Sequence, residues 1–174
     1  MNFSDIAKKA EEIAEKYNPK ALTPFPFERI EQDRPDLSIV ETKLDDGISG
    51  AIRYEKDENK FRIFVDSNIP ENRKYFTIAH ELGHYFLHQD IVRRDEVIID
   101  AEGSASGNGI LYRLDEHGYS RIETEANKFA SVLLMPQELV IDAREIVKDI
   151  EELAKIFKVS VSAMSIRLEE LSLV

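Results

Sequence analysis

Apolar positions change their spacing twice along the first half of the chain. Between Ser4 and Tyr17 they fall at helical intervals, through Ile6, Ala10, Ile13, Ala14 and Tyr17, which predicts an amphipathic helix with Ser4 as its cap. Pro19, Pro24, Pro26 and Pro35 then interrupt the chain and leave room for a helical turn or two at FERIEQD. The stretches LSIVETK, GISGAIRYE and KFRIFVD are β-branched and partly alternating, with the turn clusters DDG and KDEN between them, and predict three mostly antiparallel strands. From Pro70 the helical period returns in PENRKYFTIAHELGHYFLH, through Phe76, Ala79, Gly83, Phe86 and Leu87.

Residues 90 to 120 are the least regular part. EVIID and ILYRL read as short strands around AEGSASGNG, where a mobile excursion is expected. A second long helix is predicted over SRIETEANKFASVLLMP, its apolar face being Ile122, Ala126, Phe129, Ala130, Leu133 and Leu134, with Pro136 ending it or starting the next. DIEELAKIFK and SVSAMSIRLEELSL predict two further helices. The expectation is an α+β fold: a small, mostly antiparallel sheet packed on the histidine-bearing helix, with more helices towards the C-terminus. Residues 1–145 are expected to form the main domain and residues 146–174 a helical appendage packed on it.

Composition then narrows the chemistry. The 174 residues include no cysteine, which excludes disulfides, thiolate metal sites and a cysteine nucleophile, so any transition metal must be held by histidine and carboxylate. Against 34 acidic residues stand 23 basic ones, and the net charge of −11 repels phosphate backbones and anionic membranes. That balance favours a protein or peptide partner over nucleic acid. No segment approaches the roughly 20 consecutive apolar residues of a membrane span. The amphipathic start MNFSDIAKKAEEIAEKY has no apolar core of a signal peptide, and a soluble cytoplasmic protein is expected.

Three of the four histidines, His80, His84 and His88, lie in FTIAHELGHYFLHQD. Residues four apart on a helix are separated by about 40° around its axis, so His80 and His84 can direct their imidazoles at one point. Glu81, rotated by about 100° from His80, is kept from that point but close enough to reach a water there. Two histidines make an incomplete catalytic zinc site, which usually takes three protein ligands. A third on the same run would fall at Asp90, but Leu87 stands where a glycine would let the chain turn back. The second long helix offers Glu123 and Glu125, about 200° apart around its axis, so that the two cannot face the same ion. Gly83, which lowers helix stability by about 1 kcal/mol relative to alanine, is explained if the second helix approaches closely there. His88 is placed to hydrogen-bond a ligand or cap the helix end.

The pair F-T-I-A-H-E-L-G-H-x-x-L-H and E-x-E-A-N-x-F-A-x-x-L-L-M-P resembles the two signatures of the ImmA/IrrE metallopeptidase family, and the likeness extends in outline from the first helix to the IRLEEL terminus. It implies a minimal zincin-like fold. By that likeness Glu123 is the third ligand, beside His80 and His84, and Asn127, one turn on, is placed to orient a metal-bound imidazole. Zn2+ is expected in preference to Mn2+, since two imidazoles and a carboxylate suit it well. Glu81 would be the general base, with Tyr112, His117 and Tyr119 as candidate donors to the oxyanion and KFRIFVD as the sheet edge that takes an extended substrate.

The resemblance further implies an intracellular endopeptidase that removes a helix-turn-helix repressor of the Xre kind in a stress or mobile-element response. The C-terminal ELAKIFKVSVSAMSIRLEEL itself looks like a helix-turn-helix pattern, with Ala154 and Val159 as packing positions and Lys158 where the common turn has glycine. Its few basic residues, Lys155, Lys158 and Arg167, favour packing or partner docking over DNA binding. The alternatives are a non-catalytic zincin-fold regulator and a toxin–antitoxin component, each acting by protein or DNA binding. Glu81 favours the peptidase, because a purely structural metal site has no use for a neighbouring base.

Overall fold

The structure is a computed structural model that describes residues 1–95, 97–101 and 116–174, with residues 100, 101 and 116–120 described by their backbone. The first helix, α1 (Phe3–Tyr17), buries the expected stripe of Ile6, Ala10, Ile13, Ala14 and Tyr17. Its cap is Asn2, whose side chain accepts from the Asp5 amide at 2.8 Å, so Ser4 lies inside the first turn rather than before it. The short helix α2 (Glu28–Asp33) follows the prolines and buries Ile30.

Among the described residues four strands form one mixed sheet: β1 (Leu37–Thr42), β2 (Ile48–Glu55), β3 (Lys60–Asp66) and β4 (Val97–Ala101). They are arranged in the order β1-β3-β2-β4. The tight turn through residues 56–59 makes β2 and β3 antiparallel neighbours, β4 adds antiparallel to β2, and β1 pairs with β3 in parallel. KFRIFVD is therefore not an edge. It is β3, with both ladders filled and with Phe61, Ile63 and Val65 buried in alternation. Among the described residues the edges are β1 and β4.

The helix carrying the histidines, α3 (Glu71–Leu87), begins after Pro70, which is its N-cap residue. Every residue from Ala79 to Tyr85 is buried, because α3 lies on β2 and β3 with one face and against α5 (Glu116–Leu134) with the other. On the sheet side Tyr85 meets Phe61 edge-on at 5.3 Å between ring centres. Towards α5, Phe86 stacks with Phe129 at 5.7 Å. Between α3 and β4 lies a helix that periodicity did not predict, α4 (Gln89–Asp95), whose one buried residue is Val92. Seven residues give too few turns for an apolar period to declare itself. The ILYRL and AEGSASGNG expectations fall outside the described residues, apart from Ala101 at the end of β4.

α5 also packs on α1, and Pro136 stands between it and α6 (Gln137–Ile146). The last pair, α7 (Ile150–Phe157) and α8 (Val161–Glu170), is capped by the side chains of Asp149 and Ser160. Lys158 occupies the left-handed turn after α7 at φ 55°, the place usually given to glycine, and its ammonium pairs with Glu71 at 2.7 Å. Ala154 and Val159 are buried, and Leu153, Phe157, Met164 and Leu168 join the same apolar cluster as Phe129 and Leu133. Arg167 is buried too, donating to the Met135 carbonyl at 2.9 Å and facing Glu170 and Glu11.

Gly83 is a point of close approach between α3 and α5. A β-carbon there would stand 3.0 Å from Ala126 Cα and 3.1 Å from its carbonyl oxygen, so the approach inferred from the glycine is present. Backbone of a neighbouring helix cannot move aside as a side chain can, and overpacking of this kind costs ~1–3 kcal/mol. Gly83→Val is expected to lower the unfolding free energy by about that amount, read as a lower urea midpoint at unchanged slope. An unchanged midpoint would show that α3 and α5 can separate freely.

Candidate metal centre

Burying seven consecutive residues of α3 obliges its polar members to find partners inside the protein. His80 and His84 sit one turn apart on the face turned to α5, and Glu123 comes from α5 to meet them. Glu123 Oε2 is 3.0 Å from His80 Nε2, Glu123 Oε1 is 3.2 Å from His84 Nε2, and the two Nε2 atoms are 3.1 Å apart. These three side chains form the one group of histidine and carboxylate residues, among those described, placed to hold a metal ion.

The remaining ring nitrogens fix the proton positions. His80 Nδ1 lies 2.9 Å from Asn127 Oδ1, an acceptor, so Nδ1 carries the hydrogen and Nε2 its lone pair when the ring is neutral. His84 Nδ1 lies 3.1 Å from His88 Nδ1, and His88 Nε2 lies 2.9 Å from Glu125 Oε2. Burial pushes the His84 imidazole down to about 4, and the neighbouring His80 and His88 act in the same direction, so it is neutral at pH 7. Burial draws Glu123 upward, but its contacts with His80 and His84 more than offset this and hold it at about 2. What faces inward is two imidazoles, that of His84 neutral, and one carboxylate, a donor set that a divalent cation can complete.

Glu81 is fully buried and points towards the sheet. A β-carbon on Gly50 of β2 would stand 3.2 Å from Glu81 Oε1 and only 2.4 Å from Thr77 Cγ2, so the bare backbone of β2 is what gives these side chains room. A glycine inside an alternating strand is a sequence signal of such close approach.

Other predicted positions fall as follows. Asn127 reaches His80, and His88 reaches both His84 and Glu125 while its own backbone N–H closes the end of α3 on the His84 carbonyl. Glu125, weighed in the sequence only as an alternative ligand, faces His88 and also accepts from Arg121 at 3.0 Å. Asp90 is exposed on α4. Tyr112 lies outside the described residues. His117 and Tyr119 fall in the first turns of α5, where only the backbone is described.

Similarity to known proteins agrees with this geometry. The sequence model of the peptidase family M78, described as the IrrE N-terminal-like domain, matches residues 32–169. Over 105 residues the chain is 30% identical to the uncharacterized immunity region protein 2 of Bacillus phage phi105, which covers 60% of this chain and 56% of that protein. Over 118 residues it is 25% identical to the metallopeptidase ImmA of Bacillus subtilis strain 168, covering 64% of this chain and 57% of that protein. The chain thus spans little more than half the length of these relatives. A Mycobacterium tuberculosis transcriptional regulator shares the fold, with a TM-score of 0.61 at 21% identity, over 95% of this chain and 47% of that one.

The depressed His84 value has a consequence for the metal-free protein. An unfolded histidine takes up a proton near pH 6.5, whereas folded His84 does so only near 4, so between these values the unfolded chain binds more protons. This contribution to stability is present above pH 6.5 and is lost as the pH falls towards 4, and His88, also held down by burial, adds in the same sense. The urea midpoint of the metal-free chain is expected to fall between pH 7 and 5, and to fall less in His84→Gln. Equal slopes in the two proteins would contradict a neutral, buried His84.

Proposed function

Since the chain belongs to the IrrE N-terminal-like domain family of metallopeptidases, we propose that it is a zinc-dependent endopeptidase acting on a protein substrate. The observation that supports this best is the meeting of His80, His84 and Glu123 from two helices, with Glu81 next to the first histidine. Ligands of a four-coordinate zinc ion at about 2.0–2.1 Å stand roughly 3.3 Å from one another, and the present separations fall only a few tenths of an ångström short of that. Three protein donors leave one tetrahedral position for solvent.

In this reading His80, His84 and Glu123 hold Zn2+, which when bound lowers the pKa of water to about 7 and polarises the scissile carbonyl. Glu81 takes the proton of the attacking water and passes it to the departing amine. Its burial between α3 and β2 excludes bulk solvent from the proton it carries, and Gly50 keeps the space open. Asn127 holds the His80 ring by its Nδ1–H, leaving Nε2 directed at the ligand position. An extended peptide would add to a strand edge, and among the described residues the outer strands are β1 and β4.

For the substrate, the reading is a helix-turn-helix repressor, an intracellular protein that the cell or a resident phage must remove to release its genes. Support comes from the immunity-region name of the phage relative and from the acidic surface, which disfavours phosphate-rich partners. The structure has no helix long and apolar enough to cross a membrane among its described residues.

The decisive measurement compares the native chain with Glu81→Gln, each assayed for bound metal and for cleavage of the repressor encoded beside its gene. The variant is expected to keep its zinc and to lose cleavage by about 10²–10⁴-fold, the usual contribution of a general base. Equal cleavage by both would remove Glu81 from the reaction. Metal retention with no cleavage by either would favour a regulator that binds without hydrolysis.

A further inference from the structure

The two metal-facing histidines are held in different ways. His80 donates to a neutral amide, Asn127, at an exposed position. His84 is held by a second imidazole, and that imidazole by a carboxylate: His84 Nδ1 to His88 Nδ1 at 3.1 Å, then His88 Nε2 to Glu125 Oε2 at 2.9 Å, with Arg121 Nε on the other oxygen of Glu125 at 3.0 Å. His84, His88 and Glu125 are all buried.

The direction of these bonds follows from what each end can do. An ionised carboxylate only accepts, so His88 Nε2 must donate to Glu125. The other nitrogen of a neutral His88 then carries a lone pair, and the hydrogen between the two Nδ1 atoms belongs to His84. That leaves His84 Nε2 bare and facing Glu123. Each link dictates the next, and the last dictates which nitrogen of His84 is able to bind a cation.

We propose that His88 and Glu125 are positioning residues, which fix the tautomer and ring orientation of His84 and so set the affinity of the centre for its metal. The proposal rests on the metal-site reading above. It extends the centre from three side chains to a line of groups running along α3 and back into α5. A competing account is that His88 and Glu125 merely tie the two helices together. Both accounts expect destabilisation when the side chains are removed, so stability does not separate them; the tautomer of His84 and rescue by a suitable amide do.

Glutamine at position 88 can accept from His84 through its oxygen and donate to Glu125 through its nitrogen, reproducing both bonds without an imidazole. Leucine can do neither. The test uses the full chain as native protein, His88→Leu and His88→Gln, with Zn2+ affinity measured by competition with a chromophoric chelator. Nitrogen-15 imidazole spectra of the metal-free native chain above pH 7 report the tautomers, with His84 assigned from the spectrum of His84→Gln.

The native spectrum is expected to show His84 protonated on Nδ1. His88→Leu is expected to weaken Zn2+ binding about 10- to 100-fold, the usual loss when a hydrogen-bonding partner of a metal-bound histidine is removed, and His88→Gln to recover most of it. The proposal is overturned if native His84 carries its proton on Nε2. It is equally overturned if folded His88→Leu binds Zn2+ as the native chain does, or if His88→Gln is no better than His88→Leu. Should the leucine variant not fold, the native tautomer and the glutamine variant still decide. A native chain that binds no Zn2+ at all would defeat the metallopeptidase reading instead, while the tautomer spectrum would still judge the hydrogen-bonded line by itself.

Discussion

Where α3 passes α5, Gly83 presents bare backbone to Ala126, and the two helices approach until a single added carbon would stand 3.0 Å from Ala126 Cα. Ordinary helix pairs are kept 8–10 Å apart by the side chains at their contact, and a glycine against an alanine lies at the near end of that range. Short reach is what the neighbouring polar groups need. Glu123 can then span the gap to two imidazoles at 3.0 and 3.2 Å, and Asn127 can meet the far nitrogen of His80. Were the helices separated by a larger residue, buried histidines on α3 would be left without partners, at a penalty of about 1–3 kcal/mol for each unsatisfied group.

The same pairing explains why so polar a helix tolerates the middle of the protein. The face of α3 carrying Tyr85 is committed to the sheet, and the opposite face meets α5, which supplies an acceptor for His80 in Asn127 and for His88 in Glu125, and sets the Glu123 carboxylate beside His80 and His84. The polar contacts are Asn127 to His80, Glu123 to both His80 and His84, and Glu125 to His88. Glu123 and Glu125 still serve different ends, as their angular separation on the helix requires, because the second reaches the histidine row one turn further along.

Much of this was legible in the residues and some was not, for physical reasons. The long helices declared themselves through apolar spacing, and His80, His84 and Gly83 through offsets that only a helix turns into proximity. The pairing of β1 with β3 could not be read, since the turn clusters order strands along the chain and say nothing of which strand is inserted between two others; the DDG turn leads from β1 into β2, yet β3 lies between them. Nor could the partner of His88 be chosen, because Glu125 is three residues after Ile122 and one before Ala126, on a flank of α5 whose direction depends on how that helix is rotated against α3. Helix α4 was missed for its shortness. Asp90, a candidate by linear spacing, lies on that helix and is exposed.

Gly50 carries no functional group, and yet it determines how near β2 comes to the carboxylate of Glu81. The strand belongs to a different stretch of chain from either signature, so the surroundings of Glu81 are constrained by a position that a search for chemistry would pass over. Genetic drift there is restricted in one direction only: any change must add atoms, and the first atom added already collides with Thr77. Variants of this protein that keep every ionisable side chain and still fail are thus to be sought among residues defined by the absence of a side chain.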